Sequence, residues 1–299
     1  MADMMRPYST AHVDLDGAWS HEILDHRLDL REWGPRVRYS APPALLDEFH
    51  EVVRADLPAF ALFGSGDFHH LTALWLRNVT GPVTLISFDN HPDWDVRPPD
   101  WGCGGWINRA LELPHVTRAF IWGCGNFELN WPLRLFGNHA AVAAGRLQVF
   151  PWAERVGRSA RKRWPALGRD DWRAAFSAFA QSLAGQRVYV TVDLDCLRAV
   201  EAVTNWESGL FTAADIAWAL DELHSAAEVV GGDICGAWSA PRHARFTQWL
   251  SSRLDHPRLR RVDPAEAART NERAFQVIWP ALTAGYEQYA GANQRYAHP

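Results

Sequence analysis

Several things are scarce or missing in this chain of 299 residues, and each shortage closes off a class of function. It has no run of about 18 apolar residues, so no membrane-spanning helix is expected. Met1 to Arg6 hold no apolar signal core, and no secretion signal is read there. Only four cysteines occur: Cys103, Cys124, Cys196 and Cys235. None forms a C-x-x-C, which argues against a zinc knuckle or a redox pair. All four stand near the ends of predicted strands, where small reduced thiols are common, so a cytoplasmic setting is expected. The 30 basic residues are outnumbered by 35 acidic ones, for a net charge of −5, and no electrostatic footprint for nucleic acid exists. There are no repeats, low-complexity tracts or domain linkers, so residues 1–299 are expected to form one α/β domain.

What remains is a chain able to build a large core. Its hydrophobic content is 47%, and its 16 tryptophans are expected mostly as core or loop anchors. One stretch stands out, Asp89-Asn90-His91-Pro92-Asp93. It follows Val83-Thr84-Leu85-Ile86-Ser87-Phe88, an apolar β-branched run that reads as a buried strand. If the chain keeps alternating sides beyond the strand, Asp89, His91 and Asp93 face one way, with Asp95 continuing the series. Open α/β sheets put their sites at such carboxyl ends.

Two further stretches have the same character. Val188-Tyr189-Val190-Thr191-Val192-Asp193-Leu194-Asp195 is a hydrophobic strand ending in same-side carboxylates, and Leu62-Phe63-Gly64-Ser65-Gly66-Asp67-Phe68-His69-His70 is a strand, a glycine turn and two histidines at a predicted helix start. Each alone has an ordinary explanation, an Asx turn or a helix cap. Together they offer carboxylates and imidazoles in a mixture that suits hard-to-borderline divalent ions such as Mn²⁺ rather than a thiolate zinc site.

The rest of the chain supplies the frame. Residues 1–34 read as polar and irregular, with His12, His21 and His26 expected as surface or cap residues. A short edge strand is predicted over residues 37–39 and a helix over 44–55, whose face is Leu45, Leu46, Phe49, Val52 and Val53. The predicted strand at residues 58–63 is joined to the Asp89 strand by a helix over 71–79, a βαβ unit. The Pro/Gly/Trp loop from Arg97 to Trp106 is expected above the site. Strands are predicted at 117–122, 147–150 and 227–231, with helices at 172–183, 213–224, 242–254 and 264–290. Residues 153–172 read as a solvated basic stretch, and the tail from Gly291 as frayed.

Taken with their order, these motifs resemble the arginase/agmatinase (ureohydrolase) superfamily over roughly residues 58–250. Its D-x-H-x-D matches Asp89, His91 and Asp93, its second D-x-D matches Asp193 and Asp195, and its Gly-Gly-Asp-His is approximated by Gly64 to His69. The resemblance implies a three-layer αβα sandwich around a mostly parallel sheet. It implies two Mn²⁺ ions per chain, with His69, Asp89, His91, Asp93, Asp193 and Asp195 as ligands. A hydroxide bridging the metals, oriented by the catalytic Asp93, would attack a guanidino, amidine or amide carbon and cleave a C–N bond. The substrate would be a small-molecule or peptidyl guanidino or amide compound, and the resemblance leaves room for a homo-oligomer.

The chain departs from that pattern in three places. Phe68 separates Asp67 from its histidine, which makes His70 a rival to His69. The loop after D-x-H-x-D lacks the histidine that arginases carry. Gly236-Ala237-Trp238 occupies the segment where ureohydrolases place a guanidinium-binding glutamate. Asn205 is expected to contact substrate, and Glu207 is a candidate for a relocated carboxylate. A zinc-dependent deacetylase-like amidohydrolase and a non-catalytic metal-binding protein are the alternatives.

Overall fold

The computed structural model describes residues 9–97, 100–257 and 262–295, the last eleven as backbone only. Eight strands form one sheet: β1 (Thr10–Asp14), β2 (Arg27–Asp29), β4 (Phe60–Leu62), β5 (Val83–Phe88), β7 (Val116–Cys124), β8 (Leu147–Pro151), β9 (Arg187–Asp193) and β10 (Glu228–Cys235). The two-residue strands β3 (Ser40–Ala41) and β6 (Trp101–Gly102) pair antiparallel apart from it. The sheet order is β2-β1-β4-β10-β9-β5-β7-β8. Every pairing in it is parallel.

Parallel strands need helical crossovers, and these cover both faces of the sheet. That is why β5 is buried at all six positions rather than alternating. Leu85 and Tyr189 point into one core, with Leu46, Phe49, Leu74 and Ile107 from the helices Pro43–Val53, Thr72–Leu76 and Trp106–Glu112. Ile86, Phe88, Val190 and Val192 point into the other, with Phe176, Ile216, Leu220 and Ile278 from the helices Trp172–Ser182, Ala213–Ala226 and Pro264–Arg295. The architecture is therefore the expected αβα sandwich. Thr212 starts its helix with a capping box closed by Asp215. No helix among the described residues is long and apolar enough to cross a membrane. All four cysteines are buried and free.

Several local expectations are corrected. Residues 10–14 and 27–29 are strands, and His12 is buried on β1 rather than exposed. Their polar look comes from an edge knitted by charge, with Arg27 donating to Asp14 across the pair. Residues 37–39 are not a strand: the helix Gly34–Val37 runs into Tyr39, whose φ is +65°, before β3 begins. The two histidines lie on a 3₁₀ turn, Gly66–Leu71. The basic stretch contains a short helix, Arg158–Arg163. The helix expected to end at residue 290 continues to Arg295, beyond which the predicted tail lies outside the described residues, as do Met1 to Arg6.

The topology also separates the motif strands. β4 and β5 are parallel, yet β10 and β9 stand between them. Register does the rest: Phe88 pairs with Val192, and Asp193 with Cys235, so Asp89, Asp193 and Cys235 emerge at one level on one edge of the sheet.

Candidate metal centre

The side chains of the three motifs converge at this edge. His69 Nδ1 lies 3.1 Å from Asp89 Oδ2, 3.4 Å from Asp93 Oδ2 and 3.5 Å from Asp193 Oδ2. His91 Nδ1 lies 2.8 Å from Asp195 Oδ2 and 3.6 Å from Asp89 Oδ1. Asp89 thus faces His69 with one oxygen and His91 with the other. Two sets of atoms that could hold a metal ion overlap at it: His69, Asp89 and Asp93, and Asp89, His91 and Asp195. A third set joins His69 and Asp193 to Cys235.

What holds His69 in place decides what its ring can do. Thr191 Oγ1 donates to Asp233 Oδ1 at 2.5 Å, so its lone pairs are left to accept from His69 Nε2 at 2.9 Å. Asp233 is anchored in turn by Tyr189 and Thr72 hydroxyls. Burial opposes a charge on His69, but the groups around it, Asp89 and Asp93 among them, hold its pKa well above the usual value in the metal-free chain; with a cation bound the proton would stay on Nε2 and the Nδ1 lone pair would face three carboxylate oxygens. Nδ1 is buried and makes no hydrogen bond of acceptable geometry. A lone pair aimed at carboxylates is repulsive unless a cation lies between them, and imidazole ligands are commonly oriented through their second nitrogen in this way. His91 follows the same scheme, its Nε2 lying 3.3 Å from Glu207 Oε2.

Backbone groups fix the carboxylates. The His91 amide donates to Asp89 Oδ1 at 2.7 Å, the Asn90 amide to Asp195 Oδ1 at 3.1 Å, and the Asp195 amide to Asp193 Oδ1 at 3.0 Å. The chain does not alternate regularly beyond β5. Asp93 has φ +46°, a left-handed conformation that aspartate tolerates better than most residues. It is held there by the Trp106 indole, which donates to Oδ2 at 2.6 Å. This turn sends Asp95 outward to Arg97, so Asp95 leaves the series it was expected to continue. Glycine is required nearby, because a Cβ on Gly66 would stand 2.6 Å from Asp193 Oδ2.

The cluster attracts positive charge. Burial and the neighbouring Asp89 push Asp93 up to about 7. Burial and Asp193 push Asp195 upward, while burial and Asp89 do the same to Asp193. Burial works against charging His91, but Asp195 and Asp89 more than reverse it and hold its pKa well above the usual value. Cys235 is different: burial and Asp193 push its thiol up, so it stays protonated and donates to Asp193 Oδ2 at 3.4 Å. Four carboxylates and two imidazoles therefore fit divalent cations, and the neutral thiol adds no soft ligand.

His69 prevails over His70, which is buried outside these sets and pushed down to about 4 by burial. Asn205, expected to contact substrate, is hydrogen-bonded within the protein. Its Oδ1 accepts from Ser65 and Ser239, its Nδ2 donates to the Ser239 carbonyl, and it lines a separate cavity beside Trp238 and His256. Glu207 places Oε2 3.3 Å from His91 Nε2. Thr191 and Asp233 had a sequence signal, since Thr191 lies on the same side of β9 as Asp193. Trp106 ends the loop expected above the site, whereas Glu128 and Asp255 come from remote segments and had no sequence signal.

Above the cluster is a cleft of about 20 Å³ reached past Cys103, Gly104, Glu128 and Asp255, room for roughly one water. The same four residues border an outer cavity of about 480 Å³. The glycine loop after Asp100 thus lies over the site as expected; Pro98 and Pro99 fall outside the described residues.

No family model matches the chain. An uncharacterized protein of Thermotoga maritima is 26% identical over 201 residues, 67% of this chain and 66% of that one, just under two thirds of its length. Among solved structures, formimidoylglutamase from Bacillus subtilis superposes with a TM-score of 0.54 at 14% identity, covering 94% of this chain and 88% of that one. A hypothetical agmatinase from Burkholderia thailandensis gives 0.51 at 16%, covering 93% and 88%. Proclavaminate amidino hydrolase from Streptomyces clavuligerus gives 0.50 at 15%, covering 91% and 94%. The chain has the arginase fold, the architecture of the arginase/agmatinase (ureohydrolase) superfamily.

Proposed function

We propose that this protein is a manganese-dependent hydrolase of the ureohydrolase type, with two ions per chain, cleaving a C–N bond at a guanidino or related carbon. The observation that carries the reading is Asp89, whose two oxygens face two histidines in overlapping ligand sets. His69, Asp93 and Asp193 would complete one site and His91 and Asp195 the other, with Asp89 shared. Bound there, a pair of divalent ions would lower the pKa of a shared water toward neutrality. Oxygen-rich ligands favour Mn²⁺ over softer ions, and the protonated Cys235 removes the main argument for zinc.

The chain's own residues have separable tasks. Thr191 and Glu207 hold the imidazole rings by their Nε2 atoms. Trp106 tethers Asp93 at Oδ2, keeping its carboxylate beside the one-water cleft. A carboxylate held there can accept a hydrogen bond from the attacking water and take up its proton. Cys103 and Gly104 roof the cleft and limit water around the reacting carbon.

The test is a metal count followed by turnover. Reconstituted protein should hold two Mn per chain and release urea from members of a guanidine panel. Asp93→Asn should reduce turnover at least about 100-fold, the scale of a lost acid–base group, with an unchanged fold by circular dichroism. One Zn per chain would overturn the binuclear reading. Two Mn with no turnover of any guanidine, amidine or amide would leave only a structural role for the ions.

A further inference from the structure

Glu207 orients His91, yet its own side chain is 39% exposed. A side chain so open is not held by packing, so its position is set by its backbone. On one side Asn90 Nδ2 donates to the Glu207 carbonyl at 3.0 Å. On the other side stands Trp206, which lines the one-water cleft and meets the His91 ring edge-on at 5.3 Å. The Thr204 hydroxyl accepts from the Trp206 amide and donates to its carbonyl.

The indole of Trp206 is held by a group that the metal chemistry does not use. His256 lies over its face, with ring centroids 4.1 Å apart and planes 26° from parallel. Trp206 Nε1 donates to Asp67 Oδ1 at 3.1 Å, and His256 Nε2 reaches the same oxygen at 2.8 Å. His256 Nδ1 lies 2.7 Å from the Ser252 carbonyl. A carbonyl and an ionised carboxylate can only accept, so both ring nitrogens must carry protons. Burial opposes a charge on Asp67, but Arg38 and His256 more than reverse it and hold its carboxyl well below the usual range. Burial likewise opposes a charge on His256, and Asp67 reverses that. The result is an imidazolium stacked on an indole, an arrangement that the negative face of the ring favours.

His256 caps the helix Phe246–Asp255, whose Gln248 amide donates to the carbonyls of Arg38 and Ser40. The imidazole is therefore fixed from the body of the protein rather than from the loop it holds. Asp67 accepts from Arg38 with its other oxygen at 2.6 Å and lies on the turn that carries His69. One carboxylate thus joins the turn of one metal ligand to the loop that orients another.

We infer that His256 is a positioning residue for the metal centre: by clamping Trp206 against Asp67 it sets where Glu207 stands and which way the His91 ring faces. This rests on the binuclear reading above and adds to it a residue outside the ligand sets. Removing the imidazole leaves Asp67 with Arg38 and Trp206 as donors, so the His69 turn should persist. The indole and the Glu207 loop should shift, and the His91 site alone should weaken.

The test is a cycle of variants in the full chain, with the two stepwise Mn²⁺ affinities measured by competition with a chromophoric chelator. Glu207→Ala identifies the affinity that belongs to the His91 site, lowering it about 10–100-fold, the scale for losing an orienting partner. His256→Ala should lower the same affinity about tenfold and spare the other. Because it acts through Glu207, the double variant should bind no more weakly than Glu207→Ala. His256→Gln, which keeps a donor for Asp67 but loses the stacked ring, serves if alanine does not fold and should show the same loss. In EDTA-treated protein, the His91 imidazole nitrogens followed by NMR should shift in His256→Ala in the direction they shift in Glu207→Ala. Parent-like affinity in His256→Ala, equal loss at both sites, losses that add in the double variant, or unshifted His91 resonances would overturn the inference. Fewer than two Mn per chain in the parent would overturn the binuclear reading instead, and the NMR comparison would then decide the inference by itself.

Discussion

Thr191→Val isolates what the hydroxyl beneath the metal ligands contributes. Thr191 sits on β9 two residues before Asp193 and does two things with one oxygen: it donates to Asp233 and accepts from His69 Nε2. Valine keeps the branched shape, and β9 is buried there, so the strand and core should persist. Asp233 retains its Tyr189 and Thr72 donors and is not orphaned. The His69 Nε2–H is orphaned, at a cost of about 1–3 kcal/mol for a buried donor left without a partner. The ring then gains by placing its proton on Nδ1, where it can reach the carboxylates but can no longer ligate. Metal affinity should fall by about 10–100-fold, the usual scale for losing an orienting partner. Thr191→Ser restores the hydroxyl and should recover most of it. Competition with a chromophoric chelator measures the affinities. Thr191→Val binding Mn²⁺ as tightly as the parent, or Thr191→Ser losing as much as valine, would refute the reasoning.

Two further expectations concern stability. Asp93 titrates at about 7 in the folded, metal-free chain because burial and Asp89 disfavour its charge, whereas an unfolded aspartate titrates near about 3.9. The folded state therefore binds the extra proton between these values. Its contribution is present below about pH 4 and lost as the pH rises toward 7. Thermal unfolding in EDTA should show Tm falling across that window, less so with saturating Mn²⁺ and less so in Asp93→Asn; a slope unchanged by either would count against the assignment. Arg38 is fully buried and donates to Asp67 Oδ2 at 2.6 Å, while Asp16 lies 3.5 Å away. Arg38→Met leaves both carboxylates without their buried cation and should cost about 3–5 kcal/mol, read as a lower urea midpoint at constant m.

Much of this protein was legible in one dimension. The buried strands Val83–Phe88 and Arg187–Asp193 announce themselves as continuous apolar runs because both their faces are covered. Spacing of two along extended chain marks Asp193 and Asp195, and could have marked Thr191. The N-terminal strands β1 and β2 were hidden because they are short, and because the edge strand β2 is tied to β1 by ion pairs such as Arg27 to Asp14 and needs no apolar signature. The helix expected over 242–254 spans Phe246–Asp255 and buries Gln248 and Ser252 while Phe246 and Leu254 face solvent. Periodicity reports an apolar face but not which way it points.

The sequence by itself determined which residue types stand at the carboxyl ends of which strands, since local pattern and backbone preference suffice for that. Tertiary structure alone decided the strand order that inserts β10 between β4 and β9, the left-handed turn that swings Asp95 out, the hydrogen bonds of Asn205 to Ser65 and Ser239, and the meeting of Glu128 with Asp255 at the mouth. The reason is range: Asn205 reaches Ser239 and Ser65 from 34 and 140 residues away, and Glu128 meets Asp255 from the other half of the chain, through crossovers and register that no local window contains.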